Sequence, residues 1–152
     1  MADLTVYDPL RRKKVALTPE EEVRQWFIGV LHDELKVPMQ LMMSEVGMKC
    51  GQITSVISGT RQKDYRADLL VYDRSLNPLL VVECKRPDVQ LSRTVLEQAL
   101  RYAELLDVRY IAVTNGNSTY FAGSKDGKLC FMEAVPGYEE MIKSSTVEDH
   151  KR

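Results

Sequence analysis

Three ionisable residues stand in stretches that are otherwise apolar. Asp68 lies within residues 67–72, Glu83 within residues 79–84, and Lys85 follows one step beyond. Burying a lone charge is costly unless it is paired or metal-bound. The two apolar runs are rich in Val, Leu and Tyr, and Asp73-Arg74-Ser75-Leu76-Asn77-Pro78 separates them, which reads as a β-hairpin with a medium-length loop. Strand alternation puts Glu83 and Lys85 on one face and Cys84 on the other. With Tyr72 and Leu79 as the last facing pair before the loop, Leu70 faces Val81 and Asp68 faces Glu83. Directly opposed carboxylates destabilise a sheet. A hard divalent cation with carboxylate and water ligands resolves the conflict: Mg²⁺, with Mn²⁺ as its substitute. Lys85 then stands beside that ion, close to a water.

The elements that must position these residues are legible on either side. Thr18-Pro19-Glu20-Glu21 opens a helix, with Thr18 as N-cap, Pro19 at the first helical position and Glu21 completing a capping box. Val23, Trp26, Phe27, Val30 and Leu31 repeat at the helical period, giving one buried face to about residue 36. On that projection Glu20 shares the side of Phe27 and Leu31, Glu21 points away, and Glu22 lies at the margin. Glu20 is therefore the glutamate that can reach a metal site. Residues 39–48 are expected to form the first strand, in which Glu45 is either another inward acid or, the preferred reading, solvent-facing. A short apolar segment, residues 53–57, leads into a basic, Gly-containing loop with Arg61 and Lys63. Residues 91–106 form a second amphipathic helix. Residues 109–114 are a buried strand, Asn115-Gly116-Asn117 turns it, residues 118–122 return, and residues 129–132 make an edge strand. Residues 138–143 form a short helix, and residues 144–152 are expected to be a mobile polar tail.

Composition narrows the class without naming an activity. The chain has 152 residues, 44% hydrophobic and 28% charged, enough for one cored domain. The expected division is a lead-in over residues 1–17, the main domain over 18–135, and a short helix with its tail over 136–152. No apolar run reaches membrane-spanning length, and the N-terminus does not read as a signal peptide. Cys50, Cys84 and Cys130 are widely spaced and odd in number, as in a reduced, cytoplasmic protein. The net charge of −1 does not by itself announce a nucleic-acid binder. A DNA-facing surface would have to gather its cations locally, from Arg11-Arg12-Lys13-Lys14, Arg61, Lys63, Arg66, Arg86 and Arg93. No P-loop is present, His32 and His150 are poorly placed for catalysis, and no Ser/His/Asp or Cys/His constellation occurs.

Asp68 followed by Glu83-x-Lys85 resembles the core motif of the PD-(D/E)xK nuclease superfamily. The opening at residues 18–25, Arg66-Ala67-Asp68, Val82-Glu83-Cys84-Lys85-Arg86-Pro87, Gln98-x-x-x-Tyr102 and Thr114-Asn115-Gly116 follow in matching order. Over roughly residues 8–125 the chain is similar to the N-terminal nuclease domain of type I restriction enzyme R subunits and its stand-alone relatives. The resemblance implies a restriction-endonuclease-like α/β/α sandwich with a mixed central sheet, and metal-dependent hydrolysis of DNA phosphodiesters. It implies Asp68, Glu83 and Glu20 as metal ligands with the Cys84 carbonyl as a further one, and Lys85 as the catalytic cation. Arg66, Arg86 and Gln98 become candidate DNA contacts. DNA, other restriction or repair subunits and a second copy of the chain become candidate partners, without a membrane. Two rival readings stand beside it: a non-cleaving DNA-binding or subunit-contact module on the same fold, and a structural domain holding Asp68, Glu83 and Lys85 as a buried ion triad.

Overall fold

In a computed structural model the chain is described over residues 4–49 and 64–151. It opens with an antiparallel hairpin of β1 (Thr5–Asp8) and β2 (Lys13–Ala16), where an irregular lead-in was expected. Helix α1 (Pro19–Gly29) follows, and a π turn over Val30–Glu34 extends it. Thr18 caps α1 by accepting the Glu21 N–H at 3.1 Å. A 3₁₀ turn at Met39–Leu41 precedes β3 (Met42–Lys49), so the strand begins later than residue 39. The expected segment at residues 53–57, and the loop carrying Arg61 and Lys63, lie outside the described residues.

β4 (Asp64–Tyr72) and β5 (Pro78–Cys84) are the two central apolar runs. Helix α2 (Arg93–Leu106), capped by Ser92, carries the chain over to β6 (Tyr110–Thr114), which pairs with β5 in parallel. A parallel neighbour requires a crossover of this kind. β7 (Thr119–Lys125) and β8 (Lys128–Phe131) complete a six-stranded sheet in the order β3-β4-β5-β6-β7-β8. Every pair except β5–β6 is antiparallel, and the sheet is mixed as expected. Asn115 builds the β6–β7 turn by accepting the N–H groups of Asn117 and Ser118, and Gly116 supplies φ +89. The last helix, α3 (Tyr138–Lys151), is longer than the sequence suggested and takes in most of the expected tail.

Alternation sends the sheet's side chains into two cores. Phe27 of α1 and Leu31 of the π turn that extends it, with Tyr138 and Met141 of α3, pack on Leu69, Val71, Leu80 and Val82. Leu96, Ala99 and Ala103 of α2 pack on Leu70, Val81, Ile111 and Val113 from the other side. The result is an α/β/α sandwich with β4 and β5 buried at its centre. Among the described residues no helix is long and apolar enough to cross a membrane.

The hairpin register differs from expectation at its turn end. Leu70 faces Val81 as read from the sequence, but Tyr72 faces Pro78 and not Leu79, because an irregularity intervenes at Val71 and Tyr72. Asp73 causes the tighter closure. Its side chain accepts the N–H groups of Ser75 and Asn77, and its own N–H donates to the Asn77 carbonyl.

The β1–β2 hairpin is held to α1 through Arg11, which pairs with fully buried Asp8 and with Glu21. Burial acts to raise the Asp8 pKa, but hydrogen bonds from Arg11 and the Leu10 N–H overcome it and hold the carboxyl below its ordinary 3.8. The stability it contributes is present above that ordinary value and lost as pH falls through the lowered one. Arg11→Met leaves Asp8 and Glu21 without their shared cation. It is expected to cost about 3–5 kcal/mol in urea unfolding, and an effect below about 1 kcal/mol would show that the hairpin is not anchored through this pair.

Candidate active site

Asp68 and the Glu83–Lys85 pair lie where the β4–β5 ladder ends, and Glu20 approaches from α1 with its carboxylate 4.0 Å from Arg24. The last paired rung is Leu69–Val82. Asp68 and Glu83 hold the next positions of that register, but Asp68 is not simply opposed to Glu83. Its Oδ2 accepts the Cys84 backbone N–H at 2.7 Å, replacing a ladder bond with a side-chain bond. Its Oδ1 lies 3.5 Å from Nη2 of Arg24 on α1. Glu83 leans instead on Lys85, with Oε2 3.4 Å from Nζ. By alternation Glu83 continues the α2-side face of Val81, while Cys84 continues Leu80 and Val82 into the α1-side core.

The ladder on the other edge of β4 opens at the same level. Ser44 pairs with Leu69 and Val46 with Ala67, but no rung joins Glu45 to Asp68. Glu45 takes φ +53, a left-handed conformation that costs a non-glycine residue about 1–3 kcal/mol. The kink directs its carboxylate to Arg24 at 3.2 Å, Arg11 at 3.5 Å and Arg66 at 3.8 Å. Glu45 is exposed, as read from the sequence, and its carboxylate is at the same time engaged with cations.

The residues of the cluster also act on one another electrostatically. Burial raises the Asp68 pKa; the Cys84 N–H and Arg24 work against it, Glu20 adds to it, and Lys85 opposes it. Burial likewise raises Glu83, with Lys85 opposing and Glu20 adding. Burial also pushes the Cys84 thiol well above its usual range, so its sulfur is no thiolate ligand. Glu20 thus bears on both carboxyls, although its side chain is about half exposed while Phe27 and Leu31 are buried. The projection misplaced Glu21. Its backbone is capped by Thr18, but its carboxylate is buried and engages Arg11, Arg24 and Gln25. The cause is the β1–β2 hairpin, which lays Arg11 over the start of α1.

The remaining candidates scatter. Arg66 and Arg86 are exposed beside the cluster, Arg86 pairing with Asp88 at 3.1 Å. Arg93 is exposed on α2 and pairs with Glu97. The quartet at residues 11–14 is not one basic patch, because Arg11 is committed to carboxylates while Arg12, Lys13 and Lys14 are exposed. Gln98 is exposed on α2 in a shallow depression with Arg101, Tyr102 and Leu105. Tyr102 stacks on Tyr65 of β4, with ring centroids 5.0 Å apart. A cavity of about 640 Å³ lined by Tyr110, Gly123, Cys130 and Phe131 includes none of the site residues.

Arg24 is the site residue that the sequence reading missed. Its signal was available: four positions after Glu20 and three before Phe27, it lies on the inward side of α1.

The donors suit a hard cation: the carboxylates of Glu20, Asp68 and Glu83, with the Cys84 carbonyl nearby, are all oxygen ligands. Both raised carboxyls carry a charge that a bound cation would stabilise. Among the described residues, however, no three acidic, His or Cys side chains are already gathered around one point. Arg24, Lys85 and the Cys84 N–H hold the carboxylate oxygens in their present orientations.

The family model described as "Type I restriction enzyme R protein N terminus (HSDR_N)" matches residues 19–136. In fold, the chain is similar to a fragment structure assigned to the HsdR subunit of a type I restriction enzyme from Vibrio vulnificus YJ016. The TM-score is 0.61 at 20% identity, covering 88% of this chain and 26% of that one. The chain therefore spans about a quarter of that relative's length. No curated protein matches it.

A carboxyl with a raised native pKa contributes most to stability below its ordinary value, and that contribution is lost as pH rises through the raised value. Glu83→Gln removes the buried charge and keeps an acceptor for Lys85. The metal-free variant is expected to melt above the parent at neutral pH, with the difference fading below the ordinary carboxyl value of 4.5. A lower melting temperature at neutral pH would mean that Glu83 stabilises the fold as an ion. At position 68, Asn keeps an acceptor for the Cys84 N–H and Ala does not. Asp68→Ala should therefore be less stable than Asp68→Asn by about 1–3 kcal/mol, and equal urea midpoints would remove that hydrogen bond from the account.

Proposed function

Because the chain belongs to the family of type I restriction enzyme R protein N-termini, we propose that it is a Mg²⁺-dependent deoxyribonuclease of the PD-(D/E)xK type. The observation that supports this reading is that Asp68 and the Glu83–Lys85 pair stand where the β4–β5 ladder ends, with Glu20 near enough to bear on both carboxyls. Asp68, Glu83 and Glu20 would hold the ion, with the Cys84 carbonyl as a further ligand and Mn²⁺ as a substitute. When bound, Mg²⁺ supplies Lewis-acid polarisation of the phosphate and lowers the pKa of a water. Lys85 places a compact positive charge beside that water and the charge developing on the phosphate. Arg66 and Arg86 hold backbone phosphates, which positions a duplex without reading its sequence. Gln98 lies farther along α2 and serves as a DNA contact. Other restriction subunits supply whatever motor or sequence selection the reaction needs.

One observation favours the rival reading of a non-cleaving DNA-binding module: the acids are not gathered as a ready-made ligand set. The readings separate on metal. The nuclease requires Mg²⁺ to act, whereas the binding module holds DNA without it and leaves the strands intact.

Lys85→Ala is expected to retain Mg²⁺ and DNA binding while cutting about 10²–10³-fold more slowly. Lys85→Arg should not restore the rate, because a planar guanidinium does not replace an ammonium. Single-turnover cleavage of a labelled duplex, with binding measured separately in Ca²⁺, provides the test; an unchanged rate for Lys85→Ala removes it from the mechanism. Glu20→Gln should weaken Mg²⁺ binding with little loss of stability. Glu21→Gln should lower stability through its buried pairs and leave ion affinity nearly unchanged. The reverse pattern in calorimetric titrations would exclude Glu20 as a ligand.

A further inference from the structure

Arg24 is an arginine fixed among the acids of the site. It is 5% exposed, and its guanidinium is held from several directions. Nη1 lies 3.1 Å from Ser44 Oγ, 3.2 Å from Glu45 Oε1 and 3.7 Å from Glu21 Oε1. Nη2 lies between two of the carboxylates assigned to the metal, 3.5 Å from Asp68 Oδ1 and 4.0 Å from Glu20 Oε1. Its Nε is buried without a hydrogen-bond partner. An unsatisfied buried N–H carries a penalty, and so does the left-handed Glu45 that meets this guanidinium. Both features are maintained around a cation that never deprotonates.

We propose that Arg24 is a permanent cation occupying the position where a second divalent ion would otherwise sit, so that the chain binds a single divalent ion. The inference rests on the nuclease reading and specifies its metal stoichiometry. Asp68 has two carboxylate oxygens. Oδ2 accepts the Cys84 N–H and Oδ1 faces Arg24, which leaves lone pairs for a first ion but sets a guanidinium against the α1 side of Asp68, where a second would have to sit. Displacing Arg24 would strand a buried guanidinium, because Glu21, Glu45 and Ser44 pin it on the side away from the site. The charge balance agrees. Among the described residues, the ion pairs around the site set six carboxylates against four cationic side chains, and one divalent ion supplies the difference. A second would leave the cluster net positive. Arg24 is on this account a positioning residue: it holds Asp68 and Glu20 at a set spacing and leaves the Glu83–Lys85 side as the place for the ion.

The test counts ions on the full chain. Mn²⁺ is titrated calorimetrically, and bound ion is counted by electron paramagnetic resonance. Both are done with the chain alone and with a short duplex of non-hydrolysable backbone. The wild type is expected to bind one Mn²⁺ in both states. Arg24→Lys, which keeps the charge, should also bind one, and Arg24→Met, which removes it with little change in bulk, should bind two. Two ions on the wild type, or one on folded Arg24→Met, would overturn this inference and leave the nuclease reading standing. No ion on the wild type would overturn both. Should Arg24→Met fail to fold, Arg24→Gln, which also removes the charge, takes its place with the same expected count of two, and one ion on it would overturn the inference.

Discussion

The hydrogen bond from the Cys84 amide to Asp68 is the constraint on which the site depends. A central β-sheet satisfies its backbone by pairing every strand, and a fully paired sheet has no room for a charged cluster. Here the β4–β5 ladder stops after Leu69–Val82, and a carboxylate takes the place of the next carbonyl acceptor. That substitution brings an anion to the end of the sheet at little cost in unsatisfied backbone. It also sets the direction of Asp68, toward α1 and away from direct opposition to Glu83.

From that point the surrounding charges follow. Glu20 and Arg24 arrive from one face of α1, one helical turn apart, and Glu83 with Lys85 arrives from β5. Glu45 reaches the cluster only by a left-handed kink in β3. Arg11 ties the same network to the N-terminal hairpin, so a segment remote from the site in sequence helps fix the start of α1. The site is thus braced by a helix, two strands and a hairpin, and its acids are partly neutralised before any ion arrives. Partial neutralisation resolves a conflict between stability and function: buried carboxylates of one sign repel, yet a cation site requires them.

The sequence reading identified the central hairpin, the two amphipathic helices and the mixed α/β class because each is written in local periodicity and turn chemistry. Asn115-Gly116-Asn117 and the Thr18 cap are local signals of that kind, and both act as read. Where it went astray, tertiary context decided the outcome. Residues 1–17 carry no strong strand pattern, so the β1–β2 hairpin was invisible, and with it the burial of Glu21 against Arg11. The turn register slipped by one because the Asp73 side chain organises the loop more tightly than residue counting allows. Arg24 was legible in its spacing from Glu20, but a helix reading that follows apolar residues passes over an inward arginine. The kink at Glu45 has no sequence signal, since nothing in Ser44-Glu45-Val46 demands a positive φ.

The most direct measurement of this account is the amide spectrum of the ¹⁵N-labelled chain during a Mg²⁺ titration. Asp68 shares its carboxylate between the Cys84 N–H and the proposed ion, so occupancy of the site must be felt at that amide. The account predicts a saturable shift centred on Cys84, Lys85 and the first turn of α1, which Asp68→Asn abolishes. Saturable shifts confined to other acidic surfaces, or an unmoved Cys84 amide at saturating Mg²⁺, would contradict it.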